Sequence, residues 1–257
     1  MITVSEVADA LGARTGAARA ASWDPVGVQL GDPGASVETL AVCHEVTEEV
    51  ISALGEDKPD LLITYHPLLF SPTNRLLAGR SAEARAFALI SMGVSLLVTH
   101  TDFDAAPGGS ADALAQFLGL REIEVFGGGG EDEGPAMGRV GEFDASLGAL
   151  DAILSDAFGH NGLRIHGDRD RHLGRVAAIP GSGSHLIPEA AEVADALVTG
   201  DVSHHRAVLA ADLGLAVADP GHVATERPGI EALLEMIGEL TDARVIDLSH
   251  IDPQTWS

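Results

Sequence analysis

Short runs of consecutive apolar residues recur along the chain: Leu40-Ala41-Val42-Cys43, Leu61-Leu62-Ile63-Thr64, Leu96-Leu97-Val98-Thr99 and Leu215-Ala216-Val217-Ala218. Amphipathic stretches separate them. Leu61 to Thr64 is apolar enough to suit a strand covered on both faces, and amphipathic helices are what cover such strands. The alternation therefore predicts βα units stacked as an α/β fold.

The spacing predicts helices over 3–11, 47–54, 81–92 and 110–118, with strands at 26–30, 40–44, 60–65 and 94–100. Ser110 is placed as the cap of its helix. Gly127 to Pro135 then combines four consecutive glycines with Glu131, Asp132 and Glu133, a composition that packs no core. Beyond it the alternation resumes, with helices over 146–158, 187–194, 203–213 and 229–240. Strands are expected at 139–143, 163–166, 174–179, 196–199, 215–218 and 243–247. The expected organisation is two related α/β halves, 1–126 and 138–257, with mixed sheets flanked by helices. A glycine-rich acidic loop over 127–137 joins them, and the halves pack intimately with a metal site in the cleft between them.

A chain of 257 residues with 46% hydrophobic residues buries a substantial core. Its formal charge of -24 argues against a phosphate backbone as partner, since that surface needs basic groups. One cysteine, Cys43, excludes an internal disulfide and suits a reducing compartment. The first residues lack a basic segment followed by an apolar one, and no apolar run approaches the roughly 18 residues of a membrane span. A cytoplasmic protein that binds neither nucleic acid nor membrane is expected.

Two polar clusters follow apolar runs, where a sheet presents side chains at its carboxyl edge. Thr64-Tyr65-His66-Pro67 follows one run and Gly221-His222-Val223-Ala224-Thr225-Glu226 follows another. Imidazole and carboxylate are ligands of divalent zinc, iron or manganese. His66 alone could equally be satisfied by a backbone carbonyl. The run ending at Thr99 continues into His100-Thr101-Asp102-Phe103-Asp104, where Asp104 is a metal ligand or a turn aspartate and His100 orients a ligand or shuttles protons. His222 and Glu226, four apart, share a side if helical. Pro228 favours a turn there instead, with the helix starting near Thr225. Glu226 would otherwise only offset the helix dipole.

Pro180-Gly181-Ser182-Gly183-Ser184-His185 is either a tight turn, the favoured reading, or an anion cradle. His204 and His205 are further ligand or proton-shuttle candidates. There is no P-loop and no nucleophile elbow.

Taken in order, Trp23-Asp24-Pro25-Val26-Gly27-Val28-Gln29-Leu30-Gly31, Tyr65-His66-Pro67, His100 to Asp104, Thr199 to His205 and Gly221 to Glu226 resemble the Nif-three-like dinuclear metal-centre proteins, the GTP cyclohydrolase 1 type 2 homologues. The resemblance implies a two-metal site in a homohexamer. It assigns Tyr65, His66, Asp104, His222 and Glu226 as ligands; the catalytic candidates for hydrolysis are Glu226, which would bridge or anchor the metals, and His100, a proton shuttle. Tyr65 replaces one of two adjacent histidines, so one or two ions per chain are expected. Asp24-Pro25 replaces the family's Asp-Asn and reads as a turn variation. The implied function is metal-dependent hydrolysis of a nucleotide-like or heterocyclic small molecule, including GTP ring opening. The alternatives are a non-catalytic metal-binding regulatory or chaperone-like protein, and a structural assembly protein.

Overall fold

The computed structural model describes residues 2–16, 20–55, 57–128 and 135–251. Residues 129–134 of the expected glycine-rich loop lie outside the described residues. The chain divides into two compact units, Met1–Phe103 with Leu233–Ser257, and Asp104–Ala232. The divisions fall inside helices and away from the glycine-rich loop.

In the first unit, β1 (Ile2–Thr3) leads into α1 (Val4–Thr15), followed by β2 (Gly27–Leu30), β3 (Ser36–Val37) and β4 (Thr39–Cys43). Then come α2 (Glu48–Leu54), β5 (Leu61–Thr64), α3 (Ala82–Met92), β6 (Ser95–Val98) and the short α4 (Thr101–Ala105), in which the chain passes into the second unit. That unit continues with α5 (Ser110–Phe117), β7 (Arg121–Phe126), β8 (Gly138–Ser146), α6 (Leu147–Phe158), β9 (Arg164–His166) and β10 (His172–Ala178). It ends with α7 (Ile187–Val193), β11 (Ala196–Val198), α8 (His204–Asp212), β12 (Ala216–Asp219) and the start of α9 (His222–Leu240). The chain returns to the first unit for β13 (Arg244–Asp247).

The first unit's main sheet has the order β13-β4-β5-β6-β2, parallel except for β2. The second unit's sheet runs β7-β8-β10-β11-β12-β9, with β10, β11 and β12 parallel. Both contain one frame: an antiparallel strand (β2 or β9), then three parallel strands in chain order, the third of which pairs with the first strand made. The halves are thus related, as the alternation implied. β13 is the departure from chain order, since it extends the first sheet by pairing with β4.

Strands apolar at every position are explained by cover on both faces. Val176 and Ala178 of β10 pack with Leu150 and Leu154 of α6, while Ala177 and Ile179 pack with Ile187 and Ala207 from α7 and α8. In the first unit Leu62 and Leu96 pack against Val50 and Leu89. Side chains fix several helix starts: Thr3 and Glu6 form a reciprocal capping box, and Thr47, Ser81 and Ser146 accept from the third residue on. Ser110 is already helical, with Gly109 at the cap position and no side-chain cap bond. Among the described residues no helix is long and apolar enough to cross a membrane.

Candidate functional site

The polar clusters sit at the carboxyl ends of the three parallel strands in each frame, the edge where open α/β sheets bind ligands. In the first unit these ends deliver His44 after β4, Tyr65 and His66 after β5, and His100 after β6. The β4–β5 ladder continues past its last pair, since the His66 amide donates to the His44 carbonyl at 3.0 Å and that of Tyr65 to Cys43 at 3.2 Å. Thr64 Oγ1 lies 3.3 Å from the His44 carbonyl and 3.2 Å from that of His66. Two histidines are thereby held side by side, with ring centroids 4.7 Å apart and metal-capable ring nitrogens within 4.8 Å. Tyr65 is fully buried and its ring stacks on His44, with centroids 5.6 Å apart and planes inclined by 18°.

His100 has its own support. Asp102 accepts the His100 amide at 2.8 Å and the Thr15 hydroxyl at 2.7 Å, fixing the backbone after β6. Asp24 Oδ2 then accepts from His100 Nδ1 at 2.9 Å and from the Thr101 amide at 3.0 Å. Burial alone would raise the Asp24 carboxyl pKa, but the hydrogen bonds from His100 and Thr101 outweigh it and hold the pKa below the ordinary value. Asp24, read from sequence as a turn variation, orients the imidazole. Asp104 is buried in α4, one turn beyond His100.

In the second unit, β10, β11 and β12 end in Gly181, Asp201 and His222 respectively, each a few residues beyond its strand. Helix α9 starts at His222, earlier than the expected turn, with Pro228 inside it. Its first turn is anchored by Thr225, whose hydroxyl donates to the His222 carbonyl at 2.7 Å and accepts the Gly181 amide at 2.9 Å. One helical turn then sets His222 Nε2 3.0 Å from Glu226 Oε1. On the other side of the ring, Nδ1 donates to Asp201 Oδ2 at 2.7 Å. The hydrogen bond to Glu226, assisted by Asp201 and opposed by burial, raises the His222 pKa to about 9. Glu226 itself is buried.

Space at this cluster depends on two glycines. A Cβ at Gly181, where φ is +61°, would lie 2.6 Å from Glu226 Oε1, and one at Gly200 would lie 2.6 Å from the His222 amide nitrogen. The Gly181 loop is a tight turn: its Gly181 and Gly183 amides are taken by Thr225 and Thr199, which leaves them unavailable to cradle an anion. His204 and His205 are exposed at the start of α8, their ring centroids 5.5 Å apart.

Sequence reasoning missed three contributors. His44 follows an apolar run just as His66 and His100 do, so the same strand-end rule would have found it. Asp201 also follows such a run, but its role, like that of Asp24, has no local signal, because the partners of Asp24 and Asp201 lie 76 and 21 residues away.

The family model for Duf34/NIF3 (NGG1p interacting factor 3) matches residues 2–253. The GTP cyclohydrolase 1 type 2 homolog of Streptomyces coelicolor is 33% identical over 259 residues, covering 96% of this chain and 90% of that protein. The Lactococcus lactis protein of the same name is 32% identical over 208 residues, 79% of each chain. In fold, the chain superposes on the crystal structure of Staphylococcus aureus protein SA1388 with a TM-score of 0.88 and 23% identity, covering 100% of this chain and 99% of the other. The chain belongs to the Duf34/NIF3 (NGG1p interacting factor 3) family.

Proposed function

We propose that this protein binds divalent zinc, iron or manganese and hydrolyses a nucleotide-like or heterocyclic small molecule, the chemistry suggested by its relatives' name, GTP cyclohydrolase 1 type 2 homolog. The observation that carries this reading is the Asp201–His222–Glu226 array. A carboxylate that takes one ring N–H, as Asp201 does, and so aims the other nitrogen, here beside Glu226, is how proteins orient a metal-ligating histidine.

The first unit offers His44, His66 and Tyr65 as donor groups, and the second unit by itself offers Asp104, His222 and Glu226. Each set of nitrogen and oxygen donors suits those metals, and in the second unit Gly181 leaves open the space beside Glu226 that a Cβ would fill. When bound, the ion supplies Lewis acidity and makes water nucleophilic near neutral pH. Glu226 holds its carboxylate beside His222 as an anchor. His100, oriented by Asp24, takes or returns a proton as the substrate bond breaks. A homohexamer and a cytoplasmic location complete the proposal.

The test is metal content and turnover measured together. Purified, metal-loaded protein is expected to retain one or two ions per chain and to hydrolyse at least one of GTP, a phosphoester panel or a cyclic-amide panel, with metal lost in Glu226→Ala and His66→Ala. Absence of stoichiometric metal would sink the reading. The buried ring of Tyr65 at an expected imidazole position favours a second reading, a metal-binding regulatory or chaperone-like protein. Bound metal without turnover supports that second reading, and a second ion plus a gained rate in Tyr65→His marks a lapsed enzyme.

A further inference from the structure

Aromatic residues make up only 4% of this chain, two Trp, one Tyr and seven Phe. Three of them meet at one imidazole: Trp23, Tyr65 and Phe70 have ring centroids 6.2, 5.4 and 6.1 Å from that of His100. Tyr65 is fully buried, and packing accounts for it. Trp23 and Phe70 are different. They are 61% and 52% exposed, the two most exposed tryptophan or phenylalanine rings among the described residues, although the His100 side chain they touch is only 12% exposed.

A single surface ring is ordinary, but two large ones converging on the same nearly buried histidine form a local apolar patch. Their planes stand at 72° and 83° to the imidazole, so neither ring is stacked on it, and both stay more than half exposed beside it. Beneath the rings the chemistry is polar, with Asp24 holding His100 Nδ1. A ligand that matches both features is flat, apolar on its faces and polar at its rim.

We infer that Trp23 and Phe70 form a stacking platform beside His100 for the planar aromatic ring of a heterocyclic ligand. This deepens the proposed function only in treating that ring as part of the substrate; the stacking itself requires no metal. An indole or phenyl face stacks on any such ring, so the platform selects flat heterocycles as a class and rejects saturated ones.

Trp256→Phe leaves Trp23 as the chain's only tryptophan, and its fluorescence reports directly on the platform. Guanosine is the probe and ribose the ring-free control, each titrated with chelator and again with zinc. Saturable quenching by guanosine and none by ribose is expected under both conditions. By calorimetry, Trp23→Ala and Phe70→Ala should each weaken guanosine binding about 5- to 150-fold, with Trp23→Phe retaining most of the affinity. Absence of saturable quenching, equal quenching by ribose, or unchanged affinity in both alanine variants would overturn the inference. So would a drop in sedimenting mass with unchanged affinity, which would assign the rings to a contact between copies of the chain. If the purified, metal-loaded parent retains no stoichiometric ion yet binds guanosine, the proposed metal chemistry falls and the platform stands.

Discussion

A methyl group at Gly181 would press on the Glu226 carboxylate from 2.6 Å while the backbone sits at a φ of +61°. Gly181→Ala is therefore expected to destabilise by about 1–3 kcal/mol and to weaken metal binding more than tenfold. Gly214→Ala, also at positive φ but with nothing within 4 Å of its Cβ, is the control that isolates backbone strain. Calorimetric melting with metal titration separates the two terms. At His222 the proton is the variable. Its folded-state pKa of about 9 lies above the ordinary 6.5, so its contribution to the metal-free protein is fully present below pH 6.5 and is lost as pH rises through about 9. The melting-temperature gap between the metal-free parent and Glu226→Gln should narrow over that window, and a gap that widens would contradict the assignment. Because a metal must displace that proton, affinity should rise over the same range. The strand-end positions of His66, His100 and His222 were legible in the sequence because each follows an apolar run. The hydrogen bonds that Asp24 and Asp201 make to His100 and His222 were not, since a residue that orients another is defined by a distant partner.

Among the elements, α9 depends on a hydroxyl. Thr225 is fully buried and satisfies the Gly181 amide, so Thr225→Val keeps the shape but strands a buried donor. The expected loss is about 1–3 kcal/mol by urea unfolding, against a near-neutral Thr225→Ser. Most helices and strands were legible, because their apolar runs and caps sit within one turn of the feature they specify. The exceptions have physical reasons. Strand β7 was missed because its first five residues are exposed and Glu124 interrupts the apolar side chains. The start of α9 was placed too late because Pro228 reads as a first-turn residue, whereas here it lies in the second turn. Ser110 resembles a cap, yet it lies within the helix beside Gly229, where a Cβ would meet its Oγ at 2.4 Å.

At the scale of the whole chain, the α/β class and the repeated frame were legible from the rhythm of apolar runs. The pairing of β13 with β4 was not, because β pairing across so long a separation leaves no local signal. A chain stopped after Leu240 should therefore lose amide protection over Thr39–Cys43 while β11 keeps its own, as read by hydrogen exchange. Loss of protection at β11 to the same extent would show that the strand serves more than its own sheet. The same pairing bears on synthesis. Residues 104–232 form one uninterrupted stretch, so that unit can close as soon as it has left the ribosome. The earlier unit has to wait, its β4 edge open, until β13 emerges roughly 200 residues later, about 10–40 s at ~5–20 residues per second. During that interval the first-made sheet is a nascent, sticky edge, and the part of the chain translated second is the part that finishes first.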